Sequence, residues 1–330
     1  MSGLALIRGE PRAELRIRPA REGDSAGISA LLATSLAEIP GATPGRPLAA
    51  PQAGGVFVAS EGGRIVGLAA IAPHDAEGTF EITHLVVTHA ARGRGLASRL
   101  LAAAEGWVPE ARRLILWCDT RADAAQRFFE KHSFLREGPI RVDAGQTLAF
   151  GYAKPAAGIA VAELDAAAAS SADRRLGDIL AASAAEDEAV PLASPAEARR
   201  YWRGVSAEVA GGQRVLIAGW VDGVLAGSVQ LDINTPPYQD HRAEAQHLLI
   251  LPGYRGGGLA EALMRAVEAA AQRHGRRLLT LNAIAGGPAE ALARDLGWIE
   301  GGRIPGFSVT KRGVSCDALF FWKALAGLMR

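Results

Sequence analysis

A short motif rich in arginine and glycine occurs twice in this chain of 330 residues, and it restricts the folds that the chain can adopt. The first copy is Arg92-Gly93-Arg94-Gly95-Leu96-Ala97, and the second is Arg255-Gly256-Gly257-Gly258-Leu259-Ala260. Each follows an apolar run, Leu85-Val86-Val87 or Leu248-Leu249-Ile250, and leads into a segment with helical spacing of its apolar residues. A glycine-rich turn between a strand and a helix directs backbone N–H groups and the helix dipole at one anion. The sequence therefore predicts two phosphate-binding loops, where glycine leaves room for the anion and arginine donates to it.

The two copies are related by a constant offset, as expected for a duplicated domain. Arg255 follows Arg92 by 163 residues, and the same offset relates Glu244 to Glu81. Solenoid repeats have periods of roughly 20–50 residues, so this long period indicates two similar domains instead. The length of the chain also allows two domains that each bury a core. We place the first domain at residues 14–154, a linker at 155–158 and the second domain at 159–326.

Apolar periodicity predicts a mixed sheet with helices on both faces in each domain. A loop rich in Pro and Gly, at 40–51, is expected at a substrate mouth. In the first domain we predict a helix from Asp24, helices at 96–105 and 124–132, and strands at 15–18, 56–59, 65–71, 82–87, 114–118 and 147–152. In the second domain we predict helices at 166–189, 195–209, 259–274 and 288–296, a hairpin ending at Val229, and strands at 215–218, 247–250, 278–281 and 318–322.

Charge and composition exclude several classes of protein. The net charge of +1, with 22% charged residues, provides no field that would attract nucleic acid or an anionic membrane. The sequence has no apolar run of 18 residues and no apolar signal core, so we expect a cytoplasmic protein, monomeric or homodimeric. Cys118 and Cys316 lie far apart and suggest no metal site.

The spacing R-x-x-G-x-A resembles the pyrophosphate loop of the GNAT (GCN5-related) N-acetyltransferases, written Q/R-x-x-G-x-G/A. Neither copy fits G-x-G-x-x-G, because Ser98 and Glu261 stand at the third glycine position. The resemblance covers nearly the whole chain. It implies two tandem α/β domains, each a mostly antiparallel sheet in which parallel strands four and five splay apart. It also implies acetyl-CoA as cofactor, held by the two loops and by the backbone of Leu85-Val86-Val87 and Leu248-Leu249-Ile250.

Acetylation requires a neutral amine, and a free amine with a pKa of about 10 must first lose a proton. Glu81 and Glu244 stand near the start of strand four, where similar enzymes place a glutamate base. A solvated or salt-bridged glutamate is the alternative. His84 and His247 come three residues later, on the opposite face of a regular strand. Each is either the base or a structural histidine.

The leaving thiolate often receives its proton from a tyrosine in the helix after strand five, and both copies depart from this pattern. Phe129 and Ala293 stand at the expected positions, and neither can donate a proton. Because a thiol has a pKa of about 8.5, water can serve instead. Tyr201, Tyr238 and Tyr254 are the remaining candidates in the second half.

The two halves differ in the residues that come directly after strand five. Asp119-Thr120-Arg121 is a run found in many bacterial GNAT enzymes of small molecules, and Asp119 either binds a cationic amine or caps the next helix. The second half has Asn282-Ala283 there, and we assign Asn282 to the cofactor site. The second half resembles the tabtoxin-resistance type of GNAT enzyme through Gly227-Ser228-Val229-Gln230-Leu231, His241-Arg242-Ala243-Glu244, Leu296-Gly297-Trp298 and Gly302-Arg303-Ile304-Pro305-Gly306-Phe307.

The resulting hypothesis is an N-acetyltransferase that acts on a small-molecule amine, such as a toxin or an antibiotic. Direct attack in a ternary complex is expected, since no Cys or Ser nucleophile with a partner base is visible. Two alternatives stay open at this point. One half is a CoA-binding module without activity, as the missing tyrosines suggest, or the substrate is a protein.

Overall fold

The computed structural model describes residues 14–37, 55–142, 148–186, 194–310 and 313–325. By its internal contacts the chain divides into two compact units. The first comprises Met1–Ala122 and Ile140–Ala149, and the second comprises Asp123–Pro139 and Phe150–Arg330. The predicted loop at 40–51 lies outside the described residues. The predicted domain boundaries stay a prediction.

Both units contain helices and strands. The helices are α1 (Ser25–Ala37), α2 (Leu96–Glu105), α3 (Asp123–Lys131), α4 (Ala166–Glu186), α5 (Pro195–Ala210), α6 (Leu259–Arg273) and α7 (Pro288–Asp295). The strands are β1 (Leu15–Pro19), β2 (Gly55–Glu61), β3 (Arg64–Pro73), β4 (Thr79–Val87), β5 (Arg113–Asp119), β6 (Leu135–Arg136), β7 (Arg141–Val142), β8 (Leu148–Pro155), β9 (Ile159–Leu164), β10 (Arg214–Val221), β11 (Val224–Asp232), β12 (Arg242–Ile250), β13 (Leu278–Ile284), β14 (Ile299–Val309) and β15 (Ser315–Ala324).

In the first unit, strands β1 to β4 are antiparallel neighbours, and β5 runs parallel to β4. Leu31 of α1 packs against Val58 and Leu68 on one face of this sheet. Leu100 of α2 packs over Gly67, whose missing Cβ leaves room for it, on the other face. The predicted covering of both faces by helices is therefore confirmed here.

In the second unit, the sheet has the order β14-β15-β13-β12-β11-β10-β9, and only β12 and β13 are parallel among the described pairs. Helices α4 and α5 cover one face through a core that contains Ile179 and Trp202. Helix α6 covers the other face through Leu263 and Val267. The fold class predicted from the sequence is thus confirmed in both units.

Helix α3 and strand β6 follow β5 in the chain but belong to the second unit. Ser133, in the turn after α3, holds them there. Its Oγ accepts the N–H of Leu225 at 2.9 Å, and its carbonyl oxygen accepts the indole N–H of Trp220 at 3.2 Å. Leu135 of β6 is buried in the same core as Trp220. No local pattern in the sequence indicates that α3 and β6 belong to the second unit.

Most predicted elements are present, with shifted ends. Helix α2 has the predicted bounds, whereas β12 begins at Arg242, five residues before the prediction. Strands β9 and β14 were missed, together with the short β6 and β7. The sequence of β14 contains three glycines and Pro305, which are depleted in strands, so its propensity argued against a strand. No helix among the described residues has the length and apolarity needed to span a membrane.

Candidate functional site

Each sheet contains two parallel strands that pair over three residues and then diverge. Strand β4 pairs with β5 from Thr79–Arg113 to Glu81–Ile115, and β4 then continues to Val87. We call this opening the N-terminal fork. The predicted divergence of strands four and five is confirmed, and Glu81 is the last residue of β4 that pairs with β5.

The second unit repeats this geometry. Strand β12 pairs with β13 from Arg242–Leu278 to Glu244–Thr280, and β12 then continues to Ile250. We call this opening the C-terminal fork. Glu244 is the last residue of β12 that pairs with β13. The two predicted glutamates therefore occupy the same position, at the point where the parallel strands diverge.

A β-bulge interrupts the strand beyond each glutamate. On β4, His84 pairs with Ala70 and Ile82 pairs with Ile71, so Thr83 is an extra residue. On β12, the pairing shifts in the same region, between Ser228–Leu249 and Gln230–Gln246. A bulge disrupts the ladder and re-aims the backbone and side chains around it. The irregular backbone lies directly before Leu85-Val86-Val87 and within Leu248-Leu249-Ile250, the segments predicted to bind the cofactor.

The bulge corrects the predicted orientation of His84. A regular strand would place it on the face opposite to Glu81. Glu81 pairs with Ala72 and His84 pairs with Ala70, and residues two apart on a strand share a face. The inserted Thr83 therefore returns His84 to the face that carries Glu81.

His247 has a strained backbone at the second bulge. Its φ is +50°, in the left-handed region that non-glycine residues rarely adopt. Its ring centroid lies 5.4 Å from that of Tyr201 on α5. Although part of the ring reaches solvent, the surrounding protein lowers the pKa of His247, and Arg214 lowers this pKa further. Burial also lowers the pKa of His84, so both imidazoles favour the neutral form that can accept a proton.

The two arginine-glycine loops have nearly the same backbone. Gly93 and Gly95 have φ of +76° and +71°, and Gly256 and Gly258 have φ of +75° and +89°. A side chain is strained in this region, which explains the glycines. Helix α2 begins directly after Gly95, and α6 begins directly after Gly258. The first N–H groups of each helix have no intrahelical acceptor and point toward the loop, as an anion site requires.

The arginine side chains of the first loop have partners within the protein. Arg94 donates to both carboxylate oxygens of Glu61, at 3.0 and 2.8 Å. Arg92 donates from Nε to the carbonyl oxygen of Val87 at 3.2 Å. The second loop has Gly257 at the position of Arg94. The donors that both loops have in common are therefore the backbone N–H groups and the first arginine of the motif, Arg92 or Arg255.

The other predicted residues at the C-terminal fork come together in space. Asn282 donates from Nδ2 to Oε1 of Glu244 at 3.3 Å, across the opening between the strands. The oxygen of Tyr201 accepts from Nε2 of Gln230 at 2.8 Å, and burial raises the pKa of Tyr201. Tyr201 thus keeps its proton at neutral pH and can donate it.

The other tyrosines considered as proton donors, the residues at the expected tyrosine positions, and Asp119 have different environments. Tyr238 is 78% exposed, and Tyr254 packs against the core of the second unit. Phe129 and Ala293 are buried. Asp119 accepts the N–H of Arg121 at 2.8 Å and pairs with the guanidinium of Arg121 at 2.7 Å, which lowers the pKa of Asp119.

A polar network at the C-terminal fork was missed in the sequence. Arg214 donates to Gln230 at 2.8 Å and to Gln246 at 3.2 Å, and it forms ion pairs with Glu208 and, at 3.5 Å, with Asp232. Gln230 is fully buried. The available signal was the alternation of polar residues along β11, which is otherwise apolar. The partners come from three separate elements, so sequence spacing could not assemble them.

Comparison with known proteins gives a family match in both halves. Residues 31–134 and 180–298 match the acetyltransferase (GNAT) family. An uncharacterized N-acetyltransferase from the hisH-hisA intergenic region of Azospirillum brasilense is 39% identical over 85 residues, 25% of this chain and 49% of that protein. The chain thus spans about half the length of that relative. The two family matches contain both forks and both loops.

Similar solved structures cover about half of the chain. A putative acetyltransferase of Salmonella typhimurium, solved with its cofactor acetyl-CoA, has 16% identity and a TM-score of 0.42, covering 52% of this chain and 96% of its own. The ribosomal-protein-alanine N-acetyltransferase of Brucella melitensis has 21% identity and a TM-score of 0.43, covering 50% of this chain and 99% of its own.

Proposed function

Because the chain belongs to the GNAT family of acetyltransferases, and is therefore an acyltransferase, we propose that it transfers an acetyl group from acetyl-CoA to the primary amine of a small molecule. The observation that carries this proposal is the repeated pairing of a fork with a loop. In each half, one strand parts from its parallel neighbour at a glutamate and then leads through two left-handed glycines into a helix. Such an opening exposes strand backbone beside an anion site.

The residues of both loops fit a diphosphate. A Cβ placed on Gly93, Gly95 or Gly256 would meet no heavy atom within 4 Å, so the space in front of these positions is open. The first N–H groups of α2 and α6 would hold the diphosphate, and the backbone of residues 85–87 and 248–250 would hold the pantetheine amides. Bound acetyl-CoA supplies the acetyl group as a thioester.

The side chains of each fork would remove a proton from the acceptor amine, and in the C-terminal fork a side chain would also protonate the leaving thiolate. Glu81 or Glu244 takes a proton from the acceptor ammonium, directly or through water, and the free amine then attacks in a ternary complex. His84 and His247 are the second candidates for this role. As the new N–C bond forms and the C–S bond breaks, the thiolate takes up a proton. Tyr201 can supply it in the C-terminal fork, and water supplies it in the N-terminal fork.

We also propose the finer features that the resemblance implies. The C-terminal half is of the tabtoxin-resistance type, and the acceptor is an amine-bearing toxin or antibiotic. The departures at Phe129 and Ala293 support a second candidate function, in which one half binds CoA without turnover. The cysteines among the described residues, Cys118 and Cys316, are reduced thiols, which suits a cytoplasmic location.

Two loop variants test the proposal. Gly95→Glu and Gly258→Glu each place a carboxylate in one loop, where it repels the diphosphate. We expect each variant to lose thiol release from acetyl-CoA in its own half, measured with a panel of amines. Gly275→Glu is the matched control, because its φ of +71° imposes the same backbone strain in open space, and it follows the end of α6 that is remote from the loop. Unchanged thiol release in both loop variants would refute the proposal, and CoA binding without thiol release would favour the non-catalytic candidate.

A further inference from the structure

Each fork has a glutamate and a histidine at the same positions, but the side chains around the glutamate differ. We call these surrounding side chains the wall of the fork. Strand register makes the positions equivalent, because Glu81 pairs with Ala72 and Ile115, whereas Glu244 pairs with Asp232 and Thr280. The residues two positions away on the same strands share the face of the glutamate. The wall of the N-terminal fork is thus Ala70, Ala72, Ile115 and Trp117, and the wall of the C-terminal fork is Gln230, Asp232, Thr280 and Asn282.

The wall of the C-terminal fork is polar at all four positions, and other polar groups hold it in place. Gln230 contacts both Arg214 and Tyr201, at 2.8 Å each. Asp232 pairs with Arg214 at 3.5 Å, and Asn282 donates to Glu244 at 3.3 Å. Asn282 is exposed and Asp232 and Thr280 are half-buried, so water reaches these side chains as well. An acceptor that displaces this water must replace its hydrogen bonds.

The wall of the N-terminal fork is apolar at the same four positions. Ala70 is buried, and the side chains of Ile115 and Trp117 are half-buried. The guanidinium of Arg141 lies 4.1 Å from the centre of the Trp117 ring, which fixes the plane of the indole. Of these four side chains, Trp117 alone has a hydrogen-bonding group, its indole N–H, which is buried without a partner. The wall otherwise offers van der Waals contact, which does not replace the hydration of a polar substrate.

Resting on the acetyl transfer proposed above, we propose that the two forks take different acceptors. The C-terminal fork takes an amine that carries further hydroxyl or amino groups, of the amino-sugar or polyamine class. The N-terminal fork takes an amine attached to an apolar aliphatic or aromatic group. A site that hydrogen-bonds its substrate discriminates strongly against an analogue without those groups, whereas an apolar wall discriminates through packing and desolvation.

The loop variants separate the two specificities. Gly95→Glu disrupts the first loop and leaves the loop of the C-terminal fork intact. Gly258→Glu disrupts the second loop and leaves the loop of the N-terminal fork intact. With both variants we would measure kcat/KM for glucosamine, spermidine, phenethylamine and hexylamine. We expect Gly95→Glu to prefer glucosamine or spermidine over phenethylamine by at least about tenfold, and Gly258→Glu to show the reverse order. The exposed position of Asn282 allows Asn282→Trp in the Gly95→Glu background, which should shift the preference toward phenethylamine.

A binding measurement separates this proposal from the proposed function. The affinity of each amine for each CoA-saturated variant is measured by calorimetry. If wild-type protein releases no thiol with any amine, acetyl transfer to these amines fails, yet a reversed order of amine affinities still supports two different forks. The same order of amines in both variants, or no amine binding to either, would overturn the proposal.

Discussion

Asn282 donates a hydrogen bond to Glu244 across the C-terminal fork, with 3.3 Å between Nδ2 and Oε1. Asn282 lies two residues beyond the last pair of β12 with β13, and its contact holds the Glu244 carboxylate at the point of divergence. The equivalent position beside Glu81 is Trp117, whose indole N–H is buried and makes no hydrogen bond. The two glutamates therefore have the same place in the fold and different supports.

Removing the carboxylate should slow proton removal in the C-terminal fork. In the Gly95→Glu background, we expect Glu244→Gln to lower kcat by about 10²- to 10⁴-fold, the range typical of general acid–base catalysis. Asn282→Ala should lower kcat less, because it releases the carboxylate without removing it. Thiol release under saturating amine gives both values. A fall in kcat for Asn282→Ala as large as that for Glu244→Gln would contradict this division of roles.

The lowered pKa of His247 gives a stability prediction with a definite sign. A histidine whose pKa is lower in the folded state stabilises the fold above its unfolded pKa of about 6.5, and that contribution is lost as pH falls through the folded pKa. His247→Asn removes the ring, and asparagine tolerates the left-handed backbone. We expect the urea midpoint of the wild-type protein to fall more steeply from pH 7.5 to pH 5 than that of His247→Asn. Parallel curves would show that the ring is not desolvated.

The ion pair of Arg94 with Glu61 should compete with the cofactor. Because Glu61 accepts from both guanidinium nitrogens, Glu61→Gln should free Arg94 for a phosphate oxygen. Exposed ion pairs contribute little, so we expect CoA to bind at most about fivefold more tightly to the N-terminal loop. Calorimetry in the Gly258→Glu background measures this change. Glu61→Gln combined with Arg94→Ala should abolish the gain, and a gain that survives there would have another cause.

Gly67 and Gly227 occupy equivalent positions, because each pairs with the last residue of the neighbouring strand, Val87 or Ile250. They should differ in their tolerance of alanine. A Cβ on Gly227 would lie 2.8 Å from the carbonyl oxygen of Leu249, which is backbone and cannot move aside. A Cβ on Gly67 would lie 2.8 Å from the flexible end of Leu100, with backbone no nearer than 3.4 Å. We expect Gly227→Ala to lower the free energy of unfolding by about 1–3 kcal/mol and Gly67→Ala by less, since overpacking costs this amount. Urea unfolding of both variants checks the order, and a larger loss for Gly67→Ala would contradict it.

The sequence was sufficient where a local constraint determined the structure. Gly95 and Gly258 require a left-handed backbone, and the helix that follows each glycine depends on nearby residues, so the loops could be predicted. The divergence of the parallel strands followed from the resemblance. The roles assigned to individual residues at the loops and forks stay predictions.

Features that depend on distant residues could not be predicted. The bulge at Thr83 is defined only by the register between β3 and β4, and it reversed the predicted face of His84. The contact of Tyr201 with Gln230 joins a helix to a strand, and no local spacing encodes it. Ser133 likewise holds α3 in the second unit through Leu225, which is remote in sequence.

Both arginine-glycine loops are expected to hold the diphosphate of the cofactor, and a calorimetric titration with CoA tests this most directly. We expect two CoA molecules per chain for the wild-type protein, one each for Gly95→Glu and Gly258→Glu, and none for the double variant. Wild-type stoichiometry and affinity in a folded double variant would show that CoA binds elsewhere or not through these loops.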